Sequence, residues 1–139
     1  AQAETVYSQT VSLPKAKIVL NRFHVIQHLS RAMMTTRIDI MKTFDTHSLP
    51  YRSMKNHWRI LQKESRKLSL NRFYSRTFGQ IVTPREVVQK TLDFSGELKF
   101  YYELYQILLF QFQEKNSKHF FELLEDNLAL VNPAFRNCF

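Results

Sequence analysis

A long amphipathic helix is the feature of this sequence that most restricts its fold. After residue 22, apolar residues recur at spacings of three, four and seven: Phe23, Ile26, Leu29, Met33, Ile40 and Phe44. Such spacing places them on one face of an α-helix. The pattern predicts a helix over residues 22–44, which ends at a run of polar turn formers followed by Pro50.

Helical spacing of apolar residues continues and predicts further helices over residues 51–64, 84–94, 96–115 and 118–131. Thr83, Pro84 and Glu86 have the order of a capping box at a helix start. Only two glycines and four prolines are present, which argues against a sandwich or barrel. Neither a P-loop nor a GxGxxG motif exists. We therefore predict a mainly α fold, a multi-helix bundle with at most one short N-terminal strand.

That strand is predicted at residues 18–20, a β-branched and aliphatic run too short for an independent helix. Asn21 follows it and is a good N-cap for the next helix. A polar residue between a strand and a helix is a usual place for a functional side chain, so Asn21 is the first candidate for chemistry. A lone strand leaves its backbone unpaired, so residues 18–20 pair with another chain, pack as a coil or join the helix.

Positive charge is concentrated in the first part of the chain. The net charge is +8, and residues 1–90 hold 16 Lys and Arg against 5 acids. One stripe of the helix over 51–64 and the loop after it carry the candidate DNA-binding residues Arg52, Lys55, Arg59, Lys63, Arg66, Lys67, Arg72 and Arg76. Such asymmetry indicates a polyanion partner or a solvated helical surface, and we favour phosphates for the cations. For Trp58, Phe73 and Phe78 we favour the core over stacking on bases.

Cysteine usage and hydropathy predict a cytoplasmic protein without a membrane partner. Cys138 is the only cysteine, which excludes an internal disulfide and fits a reducing compartment. The first 20 residues contain no signal-peptide core, and the apolar run at 107–110 is too short for a bilayer.

His24 and His28 lie four residues apart on one helix face, a spacing that permits a zinc site if a third ligand approaches. There is no HExxH motif and no cysteine pair to support one. A packing or capping role for His24 is favoured, and we assign no metal ligand.

Residues 17–25 also carry a family resemblance. The sequence Lys-Ile-Val-Leu-Asn-Arg-Phe-His-Val resembles the block around the second catalytic aspartate of bacterial insertion-sequence transposases of the ISL-three type, which are DDE enzymes with an RNase H-like core. Arg22, Phe23, His24 and Val25 match the family pattern, and Asn21 stands at the aspartate position. The resemblance continues through residues 51–58, 65–68, 73–78, 83–86 and 97–102.

The resemblance implies DNA strand cleavage and transfer by three acids that hold two Mg²⁺ ions in the intact family. Asn21 is neutral and a weaker Mg²⁺ ligand, and the other two acids would lie before residue 1 and after Phe139. We therefore expect a catalytically incomplete chain without a cofactor of its own. Residues 1–21 would be a remnant of the RNase H-like core, and residues 22–139 the helical region. The resemblance also implies that Arg22 and His24, which flank the acid position, help to position DNA.

The leading hypothesis is a transposase segment with a basic, DNA-facing surface. The alternative is an oligomeric helical interaction module with no DNA role, joined through the helix at residues 95–115. That helix is apolar on two sides, which places it at the centre of a bundle or leaves one side for a partner. An active nuclease or strand transferase is the third and least favoured hypothesis.

Overall fold

The computed structural model of the chain describes the backbone of residues 15–113 and 131–138 and the side chains of residues 23–112 and 131–138. This part of the chain is mainly α, as predicted. Its α-helices are α1 (Lys15–Met41), α2 (Leu49–Asn56), α3 (Trp58–Gln62), α4 (Pro84–Leu92), α5 (Gly96–Gln113) and α6 (Pro133–Arg136). A 3₁₀ turn at Ser65–Lys67 and an antiparallel hairpin of β1 (Phe73–Ser75) and β2 (Gln80–Val82) lie between α3 and α4.

The core lies where α1 packs along α5. From α1 it takes Leu29, Met33 and Ile40, three residues of the predicted stripe. From α5 it takes the wide apolar face that the sequence predicts: Leu98, Tyr101, Tyr102, Tyr105, Leu108 and Leu109. Full burial of each large apolar side chain stabilises the fold by about 1.5–3 kcal/mol. Phe23, also on the predicted stripe, is exposed, because helical spacing buries a residue only where another element faces it.

The second apolar side of α5 is largely uncovered. Phe100, Ile107 and Phe110 are each more than a third exposed, whereas Leu104 between them is buried. The homo-oligomer through this helix stays a prediction.

The predicted N-terminal strand is wrong. Helix α1 begins at Lys15, so residues 18–20 join the helix, which was one of the three alternatives. A helix pairs its backbone groups internally, whereas a single strand needs a neighbour, and the described part of the chain has no strand pairing with these residues. Asn21 accordingly lies inside α1 and is not its N-cap. The division of the chain at residues 21 and 22 stays a prediction.

The helix predicted over residues 51–64 is interrupted at His57, which separates α2 from α3. The buried imidazole Nδ1 donates a hydrogen bond to the Ser53 carbonyl at 2.8 Å. Its ring stacks on Phe78, with the ring centroids 5.5 Å apart. Periodicity did not reveal the break because apolar residues on both sides of it keep helical spacing.

Capping side chains start the shorter helices. Ser48 accepts from the Tyr51 amide at the start of α2, where Pro50 occupies the first turn. Thr83 accepts from the Glu86 amide at 3.3 Å, as the capping sequence predicts. Asn132 caps α6 by accepting from the Phe135 amide at 3.1 Å. The helix predicted over 118–131 lies outside the described residues, apart from Val131.

Short helix α2 is tied into the fold by side-chain hydrogen bonds on both sides. Arg37 on α1 is only 6% exposed and donates from Nη1 to the Met54 carbonyl at 2.9 Å. Ser53 and Thr91 on α4 are fully buried, and their hydroxyl oxygens are 2.5 Å apart. Because Thr91 donates its proton to the Val87 carbonyl at 2.7 Å, Ser53 is the donor to Thr91.

The burial of Arg37 in the core leads to a prediction about stability. We expect Arg37→Ala to lower the free energy of unfolding by about 2–4 kcal/mol, because it leaves the buried Met54 carbonyl unpaired and opens a cavity. Urea denaturation followed by circular dichroism measures this. The matched control is Arg31→Ala, an exposed arginine on the same helix, which should change stability by less than about 0.5 kcal/mol. Equal effects of the two substitutions would contradict the role given to Arg37.

The buried His57 makes a pH prediction. Burial lowers its pKa in the folded chain, and the bond to Ser53 raises it by less. The unfolded chain therefore binds a proton more readily, so the neutral imidazole contributes stability that is fully present above about pH 6.5, the unfolded value. This contribution is lost as the pH falls from there through the lower folded value. We expect the unfolding free energy of His57→Gln to fall less steeply below pH 6.5 than that of the wild type. Identical pH profiles would exclude the prediction.

Candidate nucleic-acid interface

The exposed side of α2 carries the first two predicted cations. Ser53 and Met54 face the core, and this leaves Arg52 and Lys55 exposed to solvent. The hydrogen bonds of Ser53 and the Met54 carbonyl fix the rotation of α2, and with it the direction of both cations.

Arg59 and Lys63 extend the row of basic residues beyond the break at His57. Both are exposed, whereas Leu61 between them is fully buried. The guanidinium of Arg59 lies 5.1 Å from the centre of the Trp58 ring. Trp58 is 38% exposed, so the prediction that it is a core residue is wrong. The predicted basic stripe is therefore not continuous on one helix: Arg52 and Lys55 lie on α2, Arg59 lies on α3, and Lys63 follows α3.

Arg66 and Lys67 differ from the other cations because an acid accompanies them. Glu64 is buried, and its carboxylate pairs with the Arg66 guanidinium and lies 3.4 Å from the Lys67 ammonium. The Arg66 guanidinium also lies 4.8 Å from the centre of the Phe110 ring on α5. The burial of Glu64 between two cations is visible only in the structure.

Arg72 and Arg76 are exposed on a β-hairpin, where the sequence analysis predicted a loop. Gly79 closes the turn with φ at +65°, a backbone conformation that glycine adopts without strain, and its amide donates to the Ser75 carbonyl at 2.7 Å. Strands of three residues are too short to reveal alternation, which is why the pattern was missed.

The hairpin aromatics divide between the inside and the outside. Phe78 is partly buried against His57, in agreement with its prediction as a core residue. Phe73 is 36% exposed, so the same prediction is wrong for Phe73. Tyr74 is 64% exposed. The Asn56 amide donates to Thr77 Oγ1 at 3.1 Å and joins the hairpin turn to α2.

Residues 46–85 contain nine Lys and Arg and only one acid, Glu64. All nine cations are exposed, whereas Glu64 is buried. Positive charges at this density repel one another in the absence of an anionic partner. The site is therefore strongly electropositive across α2, α3 and the hairpin.

The three candidates near the start of α1 lie apart from this group in the chain. Arg22 and Asn21 lie in the helix, and their side chains are outside the described residues. His24 is exposed and contacts the edge of the Phe23 ring, with centroids 6.4 Å apart. It neither caps α1 nor packs in the core, so that prediction is wrong.

The described residues show neither a metal centre nor a membrane span. Within residues 15–113 and 131–138, no three His, Cys, Asp or Glu side chains group closely enough to hold a metal ion. In the same part of the chain, every helix is too short or too polar to cross a bilayer. The absence of Mg²⁺ from the whole chain stays a prediction, as does the role of each cation.

Sequence comparison identifies the family. A family model described as a transposase, of the DDE type and the ISL-three group, matches residues 4–135. Searches of the curated proteins and of the solved structures gave no significant match. The family model covers nearly the whole chain, including every element of the basic region. The chain therefore belongs to the ISL-three family of DDE transposases, as the block around residues 17–25 had suggested.

Proposed function

We propose that the cations of α2, α3 and the hairpin form the surface by which this transposase region contacts the phosphates of DNA. The observation that carries the proposal is the charge of residues 46–85, nine exposed cations against one buried acid. Lys and Arg bind phosphates by releasing the counterions condensed on DNA, which makes such binding strong at low salt.

We give the nine cations different weights in this proposal. Arg52, Lys55 and Lys63 are exposed and carry no ion pair among the described contacts, so their full charge is available to phosphates. The buried carboxylate of Glu64 offsets part of the charge of Arg66 and Lys67, although their side chains remain 50% and 67% exposed. We therefore assign the larger share of phosphate binding to the cations that do not pair with Glu64.

We further propose that this region positions DNA and does not supply the metal-dependent chemistry of the family. The support is Asn21, a neutral amide at the position that resembles the catalytic aspartate. An aspartate supplies charge as well as an oxygen ligand, and Mg²⁺ sites depend on carboxylates. The donor set of the described residues does not fit a centre of two Mg²⁺ ions.

Salt dependence tests the phosphate-binding proposal. We expect the wild-type chain to bind a DNA duplex with an affinity that falls linearly as salt rises on logarithmic scales. Lys55→Gln combined with Lys63→Gln should reduce the slope by about 2, since each phosphate contact contributes about 0.9. Fluorescence anisotropy of a labelled duplex, measured across a salt series, gives the slope.

The matched control replaces Lys42 and Lys99, two exposed lysines outside residues 46–85, by glutamine. It removes the same net charge and should leave most of the slope unchanged. A wild-type affinity that does not depend on salt would contradict phosphate binding. Equal slopes for the two double variants would show that the charge acts without regard to position.

Asn21 generates a separate prediction about catalysis. We expect the purified chain to leave a supercoiled plasmid and a labelled oligonucleotide intact in the presence of Mg²⁺ or Mn²⁺. Agarose and sequencing gels measure nicking and joining. Cleavage that depends on the metal ion and disappears in Asn21→Ala would overturn the proposal, because the activity would then belong to this chain and not to a contaminant.

A further inference from the structure

The outer face of the hairpin presents an apolar pair. Tyr74 and Ile81 are direct cross-strand partners and are 64% and 66% exposed. Partners in register lie on the same face of a sheet, so the two side chains stand together. Ser75, which follows Tyr74, and Val82, which follows Ile81, are buried on the opposite face of the hairpin.

The surroundings of this pair are positive. Arg72 and Arg76 precede and follow β1, and residues 65–85 contain five cations and no acid. This face is complementary to a partner that combines negative charge with flat apolar groups. Nucleic acid has both, since its bases carry π-faces between phosphates, and unpaired bases expose those faces. A neutral apolar protein surface lacks the negative charge.

The hairpin is anchored as a platform. A two-stranded hairpin alone is marginally stable, but this one is fixed at its turn by bonds to its own Ser75. Phe78 stacks on His57, and the Asn56 amide bonds to Thr77. These contacts hold the turn against the break between α2 and α3. The hairpin, with Arg72 before β1 and Arg76 after it, is thereby held at a fixed position.

We propose that Tyr74, supported by Ile81, stacks on an unpaired base of DNA while Arg72 and Arg76 contact the adjacent phosphates. The proposal rests on the DNA-facing function proposed above and adds a preference for DNA that is distorted or locally unpaired. Phe73 and Phe78 take no part in the stacking, because Phe73 lies with Val82 on the opposite face of the hairpin and His57 covers Phe78.

The experiment compares two duplexes that differ by one unpaired 2-aminopurine bulge, using the full chain. We expect the wild type to bind the bulged duplex about 5- to 150-fold more tightly than the paired one, the range for stacking of one base, and to quench the 2-aminopurine fluorescence. Tyr74→Ala should lose this preference and the quenching while its affinity for the paired duplex stays within about twofold. Tyr74→Trp should retain both, because stacking needs an aromatic ring.

The matched control is Ile107→Ala, which removes an exposed apolar side chain from α5 and should behave as the wild type. Thermal unfolding verifies that each variant is folded. We expect Tyr74→Ala to remain folded because Tyr74 is exposed. The stacking proposal is overturned if the wild type binds the two duplexes equally well, or if Tyr74→Ala keeps the preference for the bulged duplex. If binding to the paired duplex still depends on salt, the DNA-facing function stands and only the stacking proposal fails. If neither duplex is bound, both this proposal and the DNA-facing function fail.

Discussion

The short helix α2 depends on the hydrogen bonds that other elements make with its last turn. A helix of this length leaves most of its terminal carbonyls without an internal partner. His57 donates to the Ser53 carbonyl and Arg37 to the Met54 carbonyl, and both donors are buried. Arg37, which is positively charged, also lies at the C-terminal end of α2, where the helix dipole favours a cation. Without the bond from Arg37 the Met54 carbonyl would be buried unpaired, at a cost of about 1–3 kcal/mol.

The same bonds determine the arrangement of the basic residues. Because Ser53 and Met54 are held inward, Arg52 and Lys55 on the other side of α2 face solvent. The break at His57 then reorients the chain, so that Arg59 lies in the separate short helix α3 and Lys63 follows directly after it. Phe78 covers His57 and brings the hairpin to the same place. A packing requirement in the core thus positions charges on the surface.

Burial of Glu64 moderates this accumulation of charge. Its carboxylate is the only negative group in residues 46–85, and its two neighbours in the 3₁₀ turn provide the compensating charges. A buried carboxylate is costly unless it is paired. The pairing therefore stabilises the turn and leaves the remaining cations unneutralised. The difference between the paired cations, Arg66 and Lys67, and the unpaired ones agrees with the proposal that the unpaired cations bind phosphates.

Much of this protein was determined by the sequence alone. The long first helix, the capped start of α4 and the wide apolar face of α5 follow from local periodicity and capping chemistry, which depend on neighbouring residues only. The excess of positive charge and the family membership are also properties of the sequence. The tertiary structure decided which features face inward. It made residues 18–20 helical, because no strand pairs with them, and it buried Arg37 and Glu64, whose polar character predicts the surface. It also formed a hairpin from strands too short to carry a period and turned Tyr74 outward, since the exposure of a side chain depends on elements distant in the chain.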